Sequence, residues 1–226
     1  MTTATKLAKP IVILVEGIQD QNLIEAVSRH RDKHQLIDVR NQGGNTRINA
    51  ASVAAIKNLG RGIVQVLAII VDSDENCART FQHYCSIMKA AGFQIPNAPG
   101  MLSEPDHDGI RVGLLVLPVN QPGEHEQLLW SYIKALVPPL GDEIEGFLSR
   151  VPDVNPTNHE EVNSARHKSD KMAVRIATTV GVAVPQGRAL KGLRLPQWVF
   201  DEDFWDWEHP VFADVLTFIS LIAETV

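Results

Sequence analysis

Two segments of this 226-residue chain are apolar almost throughout and end on an acid. Ile11-Val12-Ile13-Leu14-Val15 stops at Glu16-Gly17, and Val64 to Val71, broken only by Gln65, runs into Asp72-Ser73-Asp74-Glu75. A strand with one wet face alternates apolar and polar residues. A continuous, β-branched run is instead what a strand covered on both faces requires, as in a parallel sheet between helices. A helical period follows each run: Leu23, Ile24, Val27 and Arg31 after the first, and Phe81, Tyr84, Cys85 and Met88 after the second. Leu36–Arg40 reads as another strand and Arg111–Val119 as the last. Ile48, Val53, Ile56 and Leu59 mark a helix ended by Gly60 and Gly62, with Asn45 or Thr46 as its cap. Pro96–Gly109 reads as a polar loop. Strands alternating with helices predict an α/β fold with a four-stranded, mostly parallel sheet flanked by helices.

After Gly123 the pattern changes. Leu128, Leu129, Tyr132, Ile133 and Leu136 mark one helix, Ile144, Phe147 and Leu148 a shorter one, then helices over about 164–180 and 211–223. The expected division is an α/β core over residues 8–137 and a mainly helical extension over 138–226, packed on the core. Phe204, Trp205 and Trp207, interleaved with acids in 201–208, are expected to pin that extension down rather than to bind a partner.

Composition narrows the functional classes. Lys and Arg number 21 against 27 Asp and Glu, a net charge of −6, which argues against coating nucleic acid by bulk charge. A localised, metal-assisted phosphate site remains compatible. The two cysteines, Cys77 and Cys85, are too few for a secreted disulfide scaffold and read as buried apolar residues. No apolar run approaches the roughly 20 residues that span a bilayer, and Met1–Lys9 lacks a signal-peptide core. A soluble, cytoplasmic chain without membrane contact is the expectation. Neither a P-loop nor a Gly-x-Gly-x-x-Gly fingerprint is present, so ATP-driven work would need an ATPase partner. His30 and His34, spaced as one helical turn, lack the sequence context of a metal site, and Gly43-Gly44-Asn45 reads as a turn rather than a phosphate loop.

Open parallel sheets collect ligands at the carboxyl ends of their strands. Glu16 and Asp72 would therefore share an edge although 56 positions separate them, provided their strands are neighbours. Asp20 lies in the first helical turn after Glu16, and the two-residue step from Asp72 to Asp74 would put both on one side of extended chain. Carboxylates crowded in this way repel, and one takes up a proton unless a cation intervenes. Mg²⁺ or Mn²⁺ meets that need and can hold and polarise a phosphodiester.

Val15-Glu16-Gly17 with Asp20, followed by Val71-Asp72-Ser73-Asp74, resembles a TOPRIM domain over roughly residues 8–137. The Glu-Gly-x-x-Asp form is most similar to OLD-like nucleases and to small stand-alone TOPRIM proteins. The resemblance implies a Rossmann-like four-stranded sheet and a divalent-metal-dependent nuclease acting on DNA or RNA. Glu16 would be a metal ligand or general base, and Asp20, Asp72 and Asp74 metal ligands. Gly123-Glu124-His125-Glu126 fits the position of the Gly-x-x-Glu of OLD-like proteins, which makes Glu126 a further ligand. Lys171, in preference to Lys168, would match their lysine that reaches the scissile phosphate. Two other readings stand beside this one. One is a non-catalytic metal- and phosphate-binding module that works with an ATPase. The weaker one is a receiver-like phosphorylation switch.

Overall fold

The computed structural model describes residues 7–44, 47–120, 123, 125–136, 139, 142–143, 146, 176, 200 and 205–226. Five helices and five strands are named among them: β1 (Ile11–Val15), α1 (Ile18–His30), β2 (Ile37–Asn41), α2 (Ala50–Leu59), β3 (Val66–Asp72), α3 (Cys77–Ala90), β4 (Met101–Leu102), β5 (Arg111–Leu117), α4 (Glu126–Leu136) and α5 (Ala213–Glu224). A short 3-10 turn, Pro210–Phe212, leads into α5.

The sheet order is β2-β1-β3-β5-β4. The first four of these strands are parallel, and β4 runs antiparallel to β5. The sheet thus has five strands, not four. The extra strand lies inside the segment read as a loop, and two residues are too short to show any period. It exists because Gly100 N–H donates to Leu114 O and Ser103 N–H to Val112 O on β5, both at 2.8 Å. β5 ends at Leu117 rather than Val119, since Pro118 has no N–H to continue a ladder. The cap of α2 is Asn49, whose side chain accepts from Ala51 N and Ser52 N at 3.1 Å. Asn45 and Thr46 lie outside the described residues.

Pleating sorts the strand residues onto two faces. Ile11, Ile13 and Val15 of β1, with Val66, Ala68 and Ile70 of β3, share one core with α1, α4 and α5. Val12 and Leu14, with Leu67, Ile69 and Val71, share the other with α2 and α3. The continuous apolar runs are explained by this double cover. Trp205 and Trp207 are buried in the first core, where Trp205 stacks on Tyr132 at 5.4 Å and Trp207 packs against Phe212 at 5.0 Å. Phe204 lies outside the described residues, as do the expected helices over 144–148 and 164–180 apart from Gly146 and Ile176.

The contact between α5 and the sheet depends on one missing side chain. A Cβ on Gly113 of β5 would stand 2.9 Å from Phe218 Cζ and 3.0 Å from Leu102 Cδ2. Gly113→Val is therefore expected to destabilise the fold by about 1–3 kcal/mol through overpacking, read as a lower denaturant midpoint at unchanged slope. An unchanged midpoint would show that α5 does not seat on this strand.

Candidate metal centre

β1 pairs with β3 so that Val15 stands opposite Ile70. Connections leave β1 toward β2 on one side, whereas β3 lies on the other, so the chain direction switches between β1 and β3. Ligands of open α/β sheets gather at such a switch, beyond the carboxyl ends of the strands. Glu16 follows β1 and Asp72 ends β3, which places both acids at this edge.

Asp72 has the parity of Ala68 and Ile70, which face α1 and α4. It meets Asp20 and the start of α4 there. His125 Nδ1 lies 2.8 Å from Asp20 Oδ1, 3.0 Å from Asp72 Oδ1 and 3.4 Å from Glu126 Oε2. The backbone N–H of His125 also donates to Asp72 Oδ1 at 2.9 Å. Asp20 serves two purposes. Its Oδ2 accepts from Gly17 N–H at 2.7 Å, closing the first turn of α1, while Oδ1 reaches the cluster. His125 and Glu126 are buried, at 4% and 3% exposure. Neither His125 Nε2 nor Glu126 Oε2 has a hydrogen-bond partner among the described residues.

Glu16 has the parity of Val12 and Leu14, which face α3, and its Oε1 accepts a 3.0 Å hydrogen bond from the Tyr84 hydroxyl of that helix. Burial and then the charge of Asp72 push its carboxyl up to about 8, with Asp20 and Asp74 adding to the rise and the Tyr84 hydroxyl opposing it. Burial likewise raises Glu126, to about 7. His125 is held protonated well above the ordinary histidine range by Glu126, Asp20 and Asp72, against the opposing effect of its burial. The Tyr84 hydroxyl is pushed up by burial and by the Glu16 charge.

Asp74 departs from the expected alternation. Its φ is +50°, so the chain has already left the extended form, and Asp74 and Asp72 do not share one side of a strand. The turn is held from outside: Gly123 N–H donates to Asp74 O at 2.7 Å, and the Ser73 hydroxyl to Gly123 O at 3.0 Å. The Asp74 side chain is exposed, and burial together with Asp72 and Glu75 raises its carboxyl.

The sequence-derived ligands thus fall into two groups. Asp20, Asp72 and Glu126 gather around His125, and of these the ligand atoms of Asp20, Asp72 and His125 lie within 4.8 Å of one another, a set that could hold a divalent cation. Glu16 and Asp74 stand beside that set and act on it electrostatically. Glu126 Oε2 is buried, accepts no hydrogen bond from the described residues and meets His125 Nδ1 only at 3.4 Å, so a cation would serve it better than the present cluster does. Lys168 and Lys171 lie outside the described residues. His125 is not among the sequence-derived ligands, since the Gly-x-x-Glu pattern singles out Glu126 and carries no signal for the residue before it. Tyr84 gave no signal beyond its place on the apolar face of α3.

Other sequence candidates resolve into ordinary structure. α1 ends at His30, so His30 and His34 are not on one helical face: His30 Nε2 pairs with Glu208 at 3.1 Å, and His34 Nε2 with Gln35 at 2.9 Å. Gly43 and Gly44 both have positive φ, and Gly44 N–H donates to Glu16 O at 2.7 Å, a turn that packs back on the end of β1. Asp106, His107 and Asp108 also cluster, but Lys57 Nζ lies 2.5 Å from Asp106 Oδ2, so a lysine already supplies the cation. Cys85 is buried and Cys77 half-buried. Among the described residues, no helix is long and apolar enough to cross a membrane.

Tyr84→Phe removes a hydrogen bond that favours the charged form of Glu16. The Glu16 carboxyl of the cation-free protein is expected to rise further, and the fold to lose about 1.5–3 kcal/mol where Glu16 is ionised, the range for a hydrogen bond to a charged group. Side-chain carboxyl shifts followed by NMR through the titration would show it, and an unmoved Glu16 would remove Tyr84 from the site.

The fold and this edge define an open α/β protein with a carboxylate-rich site at its switch point. The chain matches, over residues 10–224, the family described as "Protein of unknown function (DUF3226)", and it belongs to that family. Comparison with curated proteins gave no match. Similar solved structures include three of the C-terminal region of the OLD protein of Xanthomonas campestris pv. campestris. That phased with mercury is 15% identical, with 96% of this chain and 97% of that one covered and a TM-score of 0.46. Those phased with iodine and platinum are 16% and 15% identical, with TM-scores of 0.44 and 0.45; each covers 96% of this chain, and 96% and 94% of its own.

Proposed function

We propose that this protein is a divalent-metal-dependent phosphodiesterase of TOPRIM type that hydrolyses DNA or RNA. The observation that carries this reading is the meeting of Asp20, Asp72 and buried Glu126 at one sheet edge, with Glu16 beside them. Such a concentration of acids serves a catalyst of phosphoryl chemistry better than it serves the fold, which it destabilises.

Asp20 and Asp72 would hold a Mg²⁺ or Mn²⁺ ion, with Glu126 and Asp74 as further carboxylates able to support a second. A cation there would polarise the phosphodiester and lower the pKa of a water ligand. Glu16 is suited to take a proton from the attacking water. In the cation-free chain burial and the charges of Asp72, Asp20 and Asp74 hold its carboxyl at about 8; a bound cation would offset those charges and free the carboxylate to accept the proton. Tyr84, donating to Oε1, fixes which Glu16 oxygen remains available. Lys171 would offset the charge developing on the phosphate, a role carried by the TOPRIM resemblance alone.

The test is a cleavage assay on single- and double-stranded DNA and RNA with Mg²⁺ or Mn²⁺, comparing the natural chain with Asp72→Ala and Glu16→Ala. Metal-dependent cleavage lost in both variants supports hydrolysis. Metal binding without cleavage of any substrate overturns it and favours a second reading, a metal- and phosphate-binding module acting with an ATPase. The net charge of −6 favours that module.

A further inference from the structure

We propose that His125 Nδ1 is itself a ligand of the cation held by Asp20 and Asp72, and that this nitrogen makes the site select Mn²⁺, or a later first-row transition ion, over Mg²⁺. The inference rests on the metal-dependent reading above, and its test separates the two.

Spacing is the first argument. Two atoms in adjacent octahedral positions, each about 2.1 Å from the ion, stand about 3.0 Å apart. His125 Nδ1 lies 2.8 Å from Asp20 Oδ1 and 3.0 Å from Asp72 Oδ1, so each nitrogen–oxygen pair already has that separation; without a cation these contacts are held by the Nδ1 proton, which is released to solvent when the ion takes its place. The second argument is the orphaned oxygen of Glu126. It is buried, lacks a hydrogen-bond partner among the described residues, and faces the same nitrogen at 3.4 Å. The third is rigidity. His125 is buried at 4% exposure, and its backbone N–H donates to the carboxylate whose oxygen its ring also meets, so the nitrogen is anchored beside the carboxylates.

Donor chemistry then sets the preference. Mg²⁺ takes oxygen ligands and gives up its waters reluctantly. Imidazole suits the transition ions, whose affinity for nitrogen-containing sites rises across the first row. Asp20, Asp72 and Glu126 alone would form an all-oxygen site open to Mg²⁺. His125 changes the class of ion.

The experiment uses the full chain, stripped with chelator and loaded with MnCl₂. Pulsed electron paramagnetic resonance reads directly coordinated ¹⁴N on Mn²⁺, and titration calorimetry gives the Mn²⁺ and Mg²⁺ affinities of the natural chain and of His125→Gln. The expected result is ¹⁴N modulation in the natural chain, absent from the variant, with the Mn²⁺-to-Mg²⁺ affinity ratio falling at least about 10-fold. Mn²⁺ bound without ¹⁴N modulation overturns the inference, as does an unchanged ratio in a folded variant or no Mn²⁺ binding at all. If His125→Gln fails to fold, the spectrum of the natural chain decides. Metal-dependent cleavage without ¹⁴N modulation overturns only this inference, whereas ¹⁴N modulation without cleavage overturns only the nuclease reading.

Discussion

Asp72→Asn is expected to weaken divalent-cation binding by more than about 100-fold and, in the cation-free protein, to raise thermal stability. These opposite signs distinguish a metal ligand from a structural acid. Asp72 is the leading charge acting on Glu16 and also contributes to the raised carboxyls of Asp74 and Glu126. Removing its charge relieves all three; His125 loses one of its three carboxylates but keeps Asp20 and Glu126, and Asn keeps an oxygen that can accept from His125 N–H in place of Oδ1. Loss of a metal-ligating carboxylate is expected to exceed the 10- to 100-fold that loss of an outer-shell partner typically costs in affinity. Calorimetric titration with Mn²⁺ and melting curves with and without the ion would measure both effects. A variant that binds as tightly as the natural chain, or that melts lower without the cation, would remove Asp72 from the centre of the site.

The pH dependence of folding should run against the usual acid-denaturation trend. Glu16 titrates near 8 in the folded chain against 4.5 for a free carboxyl, so the folded state holds a proton that the unfolded state releases. The stabilising contribution of the protonated group is complete below about pH 4.5 and is lost as pH rises to about 8. Glu126 and Asp74, also raised, act in the same direction. So does His125, whose stabilising charge is fully present below about 6.5 and fades as pH climbs through its higher folded value. Asp106, lowered by its hydrogen bonds to Lys57 and to backbone N–H groups, acts oppositely and only at the acid end. For Glu16 the interval from 4.5 to about 8, at about 1.4 kcal/mol per pH unit, sets a ceiling of about 5 kcal/mol. Urea unfolding of chelator-treated protein should show stability falling between pH 5 and pH 8, and Mn²⁺ should restore most of it at pH 8. Stability that is flat over this range without cation would mean that the acids are not crowded in solution.

The reach of the sequence differs between elements for definite reasons. The buried parallel strands were legible because a strand covered on both faces cannot hide its composition: Ile11–Val15 and Val66–Val71 admit nothing polar. Their acidic ends were legible for the same reason, since Glu16 and Asp72 mark where cover stops. β4 was not, because two edge residues owe their conformation to hydrogen bonds from β5 rather than to any pattern of their own. The direction of Asp74 is not written locally, because its left-handed backbone is held by Gly123, 49 positions away.

Local residue order therefore decides the buried strands, their covering helices, and which acids stand at the carboxyl edge. Folding alone decides which of those acids meet. Whether Glu16 reaches Tyr84 and Asp72 reaches Asp20 follows from the faces of neighbouring strands and the helices packed on each. His125 enters because α4 starts against the end of β3, 53 positions away. Chemistry by residue type is written locally. Distances between such residues are set by packing among elements remote in the chain, and those distances determine whether a set of acids merely repels or holds an ion.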